Sequence, residues 1–224
     1  MTGHAELRVL YGGTFDPVHE GHLAIARAAR DALHATVWMM PAADPPHRGD
    51  TGADAAHRAR MLELACAGER GLKVDRRELE RAAPSYSIDT VRGLRADPAF
   101  GAAQPLALVI GADALWQLPT WREPGALLDA AHLVVAERPG VDLDGPLPPP
   151  LQAIVGSRWT DDTGALRASP GGRIYRLRQP LHPASATAIR DALRAGERAP
   201  EWLPAAVAAY VFRHGLYATS GAAS

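Results

Sequence analysis

Along this chain, short apolar runs alternate with longer segments whose apolar positions recur at helical spacing. Leu7 to Tyr11 is mainly apolar and reads as a strand, and Leu23 to Leu33 has the 3.6-residue period of a helix. Thr36 to Met40, β-branched and apolar, predicts a second strand. A helix capped by Asp54 runs through Cys66, with Arg58, Met61, Leu62, Leu64 and Ala65 at helical spacing. Leu72 to Val74 is a short strand. Ile88 to Arg95 is a helix for which Ser87 or Ser85 is an ordinary N-cap. Leu106 to Ile110, between Pro105 and Gly111, reads as a strand buried on both faces. His132 to Ala136 and Ile174 to Leu177 follow as further strands. Ser185 or Thr187 opens a helix that Gly196 can end, and Leu203 to His214 is the last helix before Gly215, with Tyr217 closing the domain. Strands alternating with helices predict an α/β fold: a mostly parallel sheet with helices on both faces.

Two stretches break the pattern. Pro41 to Asp50 contains Pro41, Pro45 and Pro46 and cannot be regular structure. It is a surface loop whose His47 and Arg48 stand on a stiffened Pro-Pro step. Asp142 to Gly172, with Pro148-Pro149-Pro150, shows little periodicity beyond a short helical piece at Leu151 to Val155. It is expected to be a surface excursion of no catalytic weight. The expected organisation is one domain over 1–218 with a flexible tail at 219–224. Trp116, at helical spacing, is expected in the core. Trp121, just after Pro119, is the better surface for stacking a flat ring.

Composition narrows the class. With 224 residues, 47% of them apolar, the chain can bury a full core. A net charge of −1 provides no global field for nucleic acid. The single cysteine, Cys66, allows no internal disulfide and fits a reducing compartment. No charged-then-apolar signal segment and no membrane-length apolar run are visible. The expectation is a cytoplasmic protein acting on small molecules, with no nucleic-acid or membrane partner.

The candidate chemistry centres on Tyr11-Gly12-Gly13-Thr14-Phe15-Asp16-Pro17-Val18-His19-Glu20-Gly21-His22-Leu23. Glycines at a strand end let backbone N–H groups approach a ligand. A helix N-terminus adds unpaired N–H groups and a positive dipole end, which together suit a phosphate. His19 and His22 lie three apart and can share a helix face. Two exposed loop histidines are the bland alternative. A metal pair is another, but no Cys or acidic third ligand stands at suitable spacing. A second anion cradle is readable in Ser185, Thr187 and Arg190 at a later helix start, although a capped amphipathic helix accounts for the same residues. Asp113, following the carboxyl end of a predicted strand, is placed for a ribose hydroxyl or for a helix cap.

Gly12-Gly13-Thr14-Phe15-Asp16-Pro17-Val18-His19-x-Gly21-His22-Leu23 resembles the signature of the HxGH nucleotidylyltransferase superfamily, and within it the bacterial nicotinate-nucleotide adenylyltransferases. Pro45-Pro46-His47-Arg48, Pro84-Ser85-Tyr86-Ser87, Gly111-x-Asp113, Pro119-Thr120-Trp121 and Ser185-x-Thr187-x-x-Arg190 extend the resemblance in order. Ala184 and Ala186 depart from it, where Ile and a second hydroxyl are common.

The resemblance implies a Rossmann-like fold and adenylyl transfer from ATP to nicotinate mononucleotide, giving deamido-NAD and pyrophosphate. It implies His22 and His19 as catalytic. It assigns ATP to Gly12, Gly13, Thr14, Phe15, His19, His22, His47, Arg48, Gly111, Asp113, Ser185, Thr187 and Arg190. It assigns the pyridine nucleotide to Asp16, Ser85, Tyr86, Ser87 and Trp121. Mg2+ is expected to arrive with ATP, with no dedicated metal site on the protein, and a homodimer is an assembly it allows. The rival readings are another transferase of the same superfamily, acting on phosphopantetheine or a cytidylyltransferase substrate, and a non-catalytic nucleotide-binding regulator.

Overall fold

The computed structural model describes residues 6–43, 52–81 and 86–218. Among these residues the strands are β1 (Arg8–Gly13), β2 (Val37–Pro41), β3 (Leu72–Val74), β4 (Leu106–Gly111), β5 (His132–Ala136), β6 (Trp159–Thr160) and β7 (Ile174–Leu177). The helices are α1 (Glu20–Leu33), α2 (Ala55–Cys66), α3 (Ser87–Ala96), α4 (Ala112–Trp116), α5 (Pro124–Ala130), α6 (Pro149–Val155), α7 (Ala186–Arg194) and α8 (Ala205–Arg213). The strands form one seven-stranded sheet in the order β3-β2-β1-β4-β5-β7-β6, and every neighbouring pair is parallel. This is the parallel α/β sheet that the alternation predicts, in the Rossmann-like form that the resemblance implies.

Side chains alternate across the strands, so each face of the sheet has its own core. Val9, Tyr11, Ala107 and Val109 pack with Leu23, Leu62 and Val207 from α1, α2 and α8. Leu10, Leu106, Leu108 and Ile110 pack with Val91, Leu128 and Val155 from α3, α5 and α6. Asp54 caps α2 as predicted, accepting from His57 N–H at 2.8 Å. Cys66 is buried as expected.

Three sequence expectations need correction. Trp116 is not core: it is exposed at the end of α4. That five-residue helix turns Ala112 and Leu115 inward, and the next position swings out. Ser87 does not cap α3, and Ser85 lies outside the described residues. Tyr86 is its N-cap without a side-chain cap bond, and Ser87 is already helical. The 142–172 region is also tied into the domain rather than draped over it. Its prolines begin α6, where a missing N–H costs nothing. Leu151, Val155 and Leu166 are fully buried, and β6 joins the sheet edge. The buried His132 ring meets Ser169 O through Nε2 at 2.9 Å, and Nδ1 accepts from Arg173 N–H at 3.0 Å, fastening this region to β5.

Candidate active site

The strand order reverses at β1 and β4, which lie side by side with Tyr11 opposite Val109. Beyond their carboxyl ends the following segments diverge to opposite faces and leave a crevice. A cavity of about 620 Å³ fills it, within the usual range of small-molecule sites. Gly12, Gly13, Thr14, Phe15, Asp16, His22, Gly111, Asp113, Trp121, Arg138 and Arg190 are among its walls. Segments distant in sequence therefore converge on one pocket.

His19 is the N-cap of α1 and His22 is its third helical residue. His22 Nδ1 accepts from the His19 backbone N–H at 3.3 Å. An accepting Nδ1 makes Nε2 the protonated nitrogen of the neutral ring. The two imidazoles are stacked, with centroids 3.7 Å apart and planes 25° from parallel. Two imidazolium rings so placed would repel each other. Burial is the main force keeping them neutral. It pushes His19 down to about 4, with the charges of Arg138 and His182 adding to it. It pushes His22 well below its ordinary value, with His19 and Arg138 contributing less. The His19 Nδ1 atom is buried without a hydrogen-bond partner among the described residues, a donor or acceptor left for something else.

Arg138 was not singled out by the sequence. It follows β5 by two residues and also borders a second cavity of about 250 Å³ with His19, His22 and Ser185. Its Nε lies 3.5 Å from Asp113 Oδ1. An arginine just past the carboxyl end of a parallel strand is the signal that could have found it. Arg190 Nη1 donates to Asp16 O at 2.7 Å and Nη2 to Thr187 Oγ1 at 3.2 Å, which ties α7 to the loop after β1. Ser185 caps α7, with Ala188 N–H 3.5 Å from its hydroxyl, and borders the second cavity rather than the main one. Thr187 lines neither of these cavities; its hydroxyl supports Arg190.

Two of the residues in the cavity wall, Phe15 and Asp16, also act as supports within the fold. Phe15 sits at φ 51°, in the left-handed region, and is buried with its ring 5.0 Å from that of His22 and 5.5 Å from that of Tyr11. Its side chain therefore braces His22. Asp16 is buried, and its carboxylate accepts from Tyr217 O–H at 2.6 Å and from Gly52 N–H at 3.0 Å. Arg58, fully buried, donates to Thr14 O at 2.6 Å and Ala42 O at 2.8 Å, holding the loop from the α2 side.

On the other flank, half-buried Trp121 borders the main cavity, a 200 Å³ cavity shared with Ser87 and Glu78, and one of about 270 Å³ shared with Tyr86 and Ser87. Tyr86 is exposed, with the Arg122 guanidinium 5.2 Å from its ring centroid. His47, Arg48 and Ser85 lie outside the described residues. Among the described residues, no group of three or more His, Cys, Asp or Glu could hold a metal ion, and no helix is long and apolar enough to cross a membrane. The arrangement offers neutral imidazole donors and guanidinium groups around one pocket, with a flat indole beside it. It suits a polyanion carrying an aromatic ring.

Comparison with known proteins agrees with this geometry. The cytidylyltransferase-like family model matches residues 10–192. A Stenotrophomonas maltophilia protein named a probable nicotinate-nucleotide adenylyltransferase is 53% identical over 216 residues, covering 94% of this chain and 96% of the relative. A Xylella fastidiosa protein of the same name is 44% identical over 215 residues, with the same coverage. Among solved structures, a Plasmodium falciparum nicotinic acid mononucleotide adenylyltransferase complexed with NaAD superposes with a TM-score of 0.65 at 14% identity, covering 95% of this chain and 97% of that one. At that identity the likeness is one of fold.

Proposed function

The chain belongs to the nicotinate-nucleotide adenylyltransferases of the cytidylyltransferase-like family, and we propose that it transfers the adenylyl group of ATP to nicotinate mononucleotide. The products are deamido-NAD and pyrophosphate, so the reaction belongs to NAD biosynthesis. The observation that carries this reading is that His22, Arg138 and Arg190, from three distant segments, line one cavity that Trp121 also lines.

A phosphate oxygen of the mononucleotide attacks the α-phosphorus of ATP. A P–O bond forms to the incoming nucleotide, and the bond from the α-phosphorus to the bridging oxygen breaks. That oxygen leaves with pyrophosphate. No protein nucleophile is needed, so catalysis is positioning plus charge stabilisation. His22 offers its Nε2–H to the α-phosphate as charge develops, and His19 orients the phosphates beside it. Arg138 and Arg190 neutralise the polyphosphate, with His47 and Arg48 acting from the loop before α2. Asp113 serves the ribose. Trp121 stacks on the pyridine ring. Ser87, with Ser85 and Tyr86, reads its carboxylate through hydroxyl and backbone donors. Mg2+ enters as part of the nucleotide substrate and requires no protein cage.

The test is direct. Purified protein with ATP, Mg2+ and nicotinate mononucleotide should yield deamido-NAD by mass spectrometry. Pyrophosphate release with phosphopantetheine, but none with the pyridine nucleotide, would assign the chain to a neighbouring transferase class.

A further inference from the structure

Beneath the main cavity, the 200 Å³ pocket is walled by Gly13, Met40, Ile110, Trp121, Ser87 and Glu78. Glu78 is the one carboxyl in this wall and is only 7% exposed. A buried carboxyl in such a wall calls for a reason. Thr90 Oγ1 donates to Glu78 Oε1 at 2.7 Å and accepts from Arg81 Nη1 at 3.0 Å. Arg81 Nη2 reaches Asp89 O at 3.4 Å, and the same group lies 2.9 Å from where a side chain on Gly93 would begin. Arg81 thus lies along α3, its guanidinium over Gly93. The other Glu78 oxygen has no hydrogen-bond partner among the described residues. Together the three residues fasten the segment before α3 to the start of that helix.

The start of α3 matters because Tyr86 provides no side-chain cap. Tyr86 O takes the Asp89 and Thr90 N–H groups at 2.9 and 3.1 Å, so among the described residues the Ser87 and Ile88 N–H groups are the ones left open, beside the Ser87 hydroxyl. A carboxylate ligand uses several such donors at once, so their spacing decides how well it is held. An amide, which needs an acceptor as well, gains less from them.

We propose that Glu78, acting through Thr90 and Arg81, is the positioning group that sets the preference for a pyridine carboxylate over a pyridine amide. This rests on the pyridine-nucleotide reading above.

The experiment compares wild type, Thr90→Val, Thr90→Ser and Glu78→Ala in steady-state turnover. Nicotinate mononucleotide and nicotinamide mononucleotide are each varied at saturating ATP, and KM for ATP is measured separately. Thr90→Val and Glu78→Ala should raise KM for the acid about tenfold, the loss of one charge-assisted bond, with kcat within about twofold and KM for ATP unchanged. The acid-to-amide ratio of kcat/KM should fall by about the same factor, and Thr90→Ser should restore it. If Thr90→Val does not fold, Glu78→Ala carries the test. Wild-type acid KM and ratio in the variants would overturn the proposal while leaving the pyridine reading intact. So would a uniform loss in kcat and both KM values that Thr90→Ser does not relieve. A wild type that turns over neither mononucleotide would remove the reading itself, and this inference with it.

Discussion

The Tyr217 hydroxyl donates to Asp16 Oδ1 at 2.6 Å across 201 residues of sequence, and both side chains are buried. Asp16 lies in the loop between β1 and α1, and Tyr217 follows the last helix. The Asp16 carbonyl also accepts from Arg190, so the loop that precedes the histidines is held from two C-terminal positions. The loop that leads into the histidines is thus positioned by the end of the chain as much as by its own glycines.

Removing that hydroxyl should therefore affect stability before chemistry. Tyr217→Phe keeps the ring packing but leaves a buried carboxylate with one partner fewer. The expected loss is about 2 kcal/mol, the usual worth of a hydrogen bond to a charged group. Urea unfolding at constant slope checks it. A midpoint equal to wild type would mean that the contact contributes nothing.

The histidine pair predicts a specific acid sensitivity. His19 has its ordinary value of 6.5 when unfolded and about 4 in the fold. Between those values the unfolded chain binds a proton that the folded chain refuses, so acidification favours unfolding. The contribution is complete above about pH 6.5 and is lost progressively as pH falls to about 4. The loss from His19 alone is on the order of 3 kcal/mol. His22, shifted the same way, adds to it. Thermal unfolding from pH 8 to pH 4 should show this decline, and His19→Gln should flatten it.

Much of the fold and part of the site could be read from residues alone, for physical reasons that differ between them. The β4 strand was legible because an apolar run bounded by Pro105 and Gly111 has few other homes. The His19–His22 segment was legible because glycines, a strand and a helix start constrain one another. Arg138 and Arg58 were not. Each works through contacts distant in sequence, Arg58 with Thr14 and Ala42, Arg138 with Asp113; local spacing carries no trace of Arg58, and the one trace of Arg138 is its place just past the end of β5. Trp116 misled because a helical period says nothing of how short the helix is. The 142–172 region misled because its buried Leu151, Val155 and Leu166 are too sparse to register as a pattern.

His22→Ala should lower kcat by roughly a hundredfold or more, the usual cost of losing one preorganised donor to a charged transition state. The variant also loses the acceptor for His19 N–H, so its thermal unfolding should be recorded alongside turnover. Near-normal turnover in a folded protein would take His22 out of the chemistry.

The two glycines before the histidines should respond differently to the same methyl group. A Cβ on Gly12 would lie 3.8 Å from the flexible end of Met40, ordinary van der Waals contact. On Gly13 it would lie 2.9 Å from Phe15 Cζ, with two more ring atoms within 3.3 Å. The Phe15 ring cannot retreat, since it is buried between Tyr11 and His22. Gly13→Ala should therefore cost about 1–3 kcal/mol of stability, as overpacked cores do, and should shift the His22 ring that Phe15 braces. Its kcat should fall more than its unfolding midpoint accounts for. Gly12→Ala should stay within about 0.5 kcal/mol of wild type. Paired chemical denaturation of the two variants is decisive, because equal losses would mean that Phe15 does not hold the histidine in place.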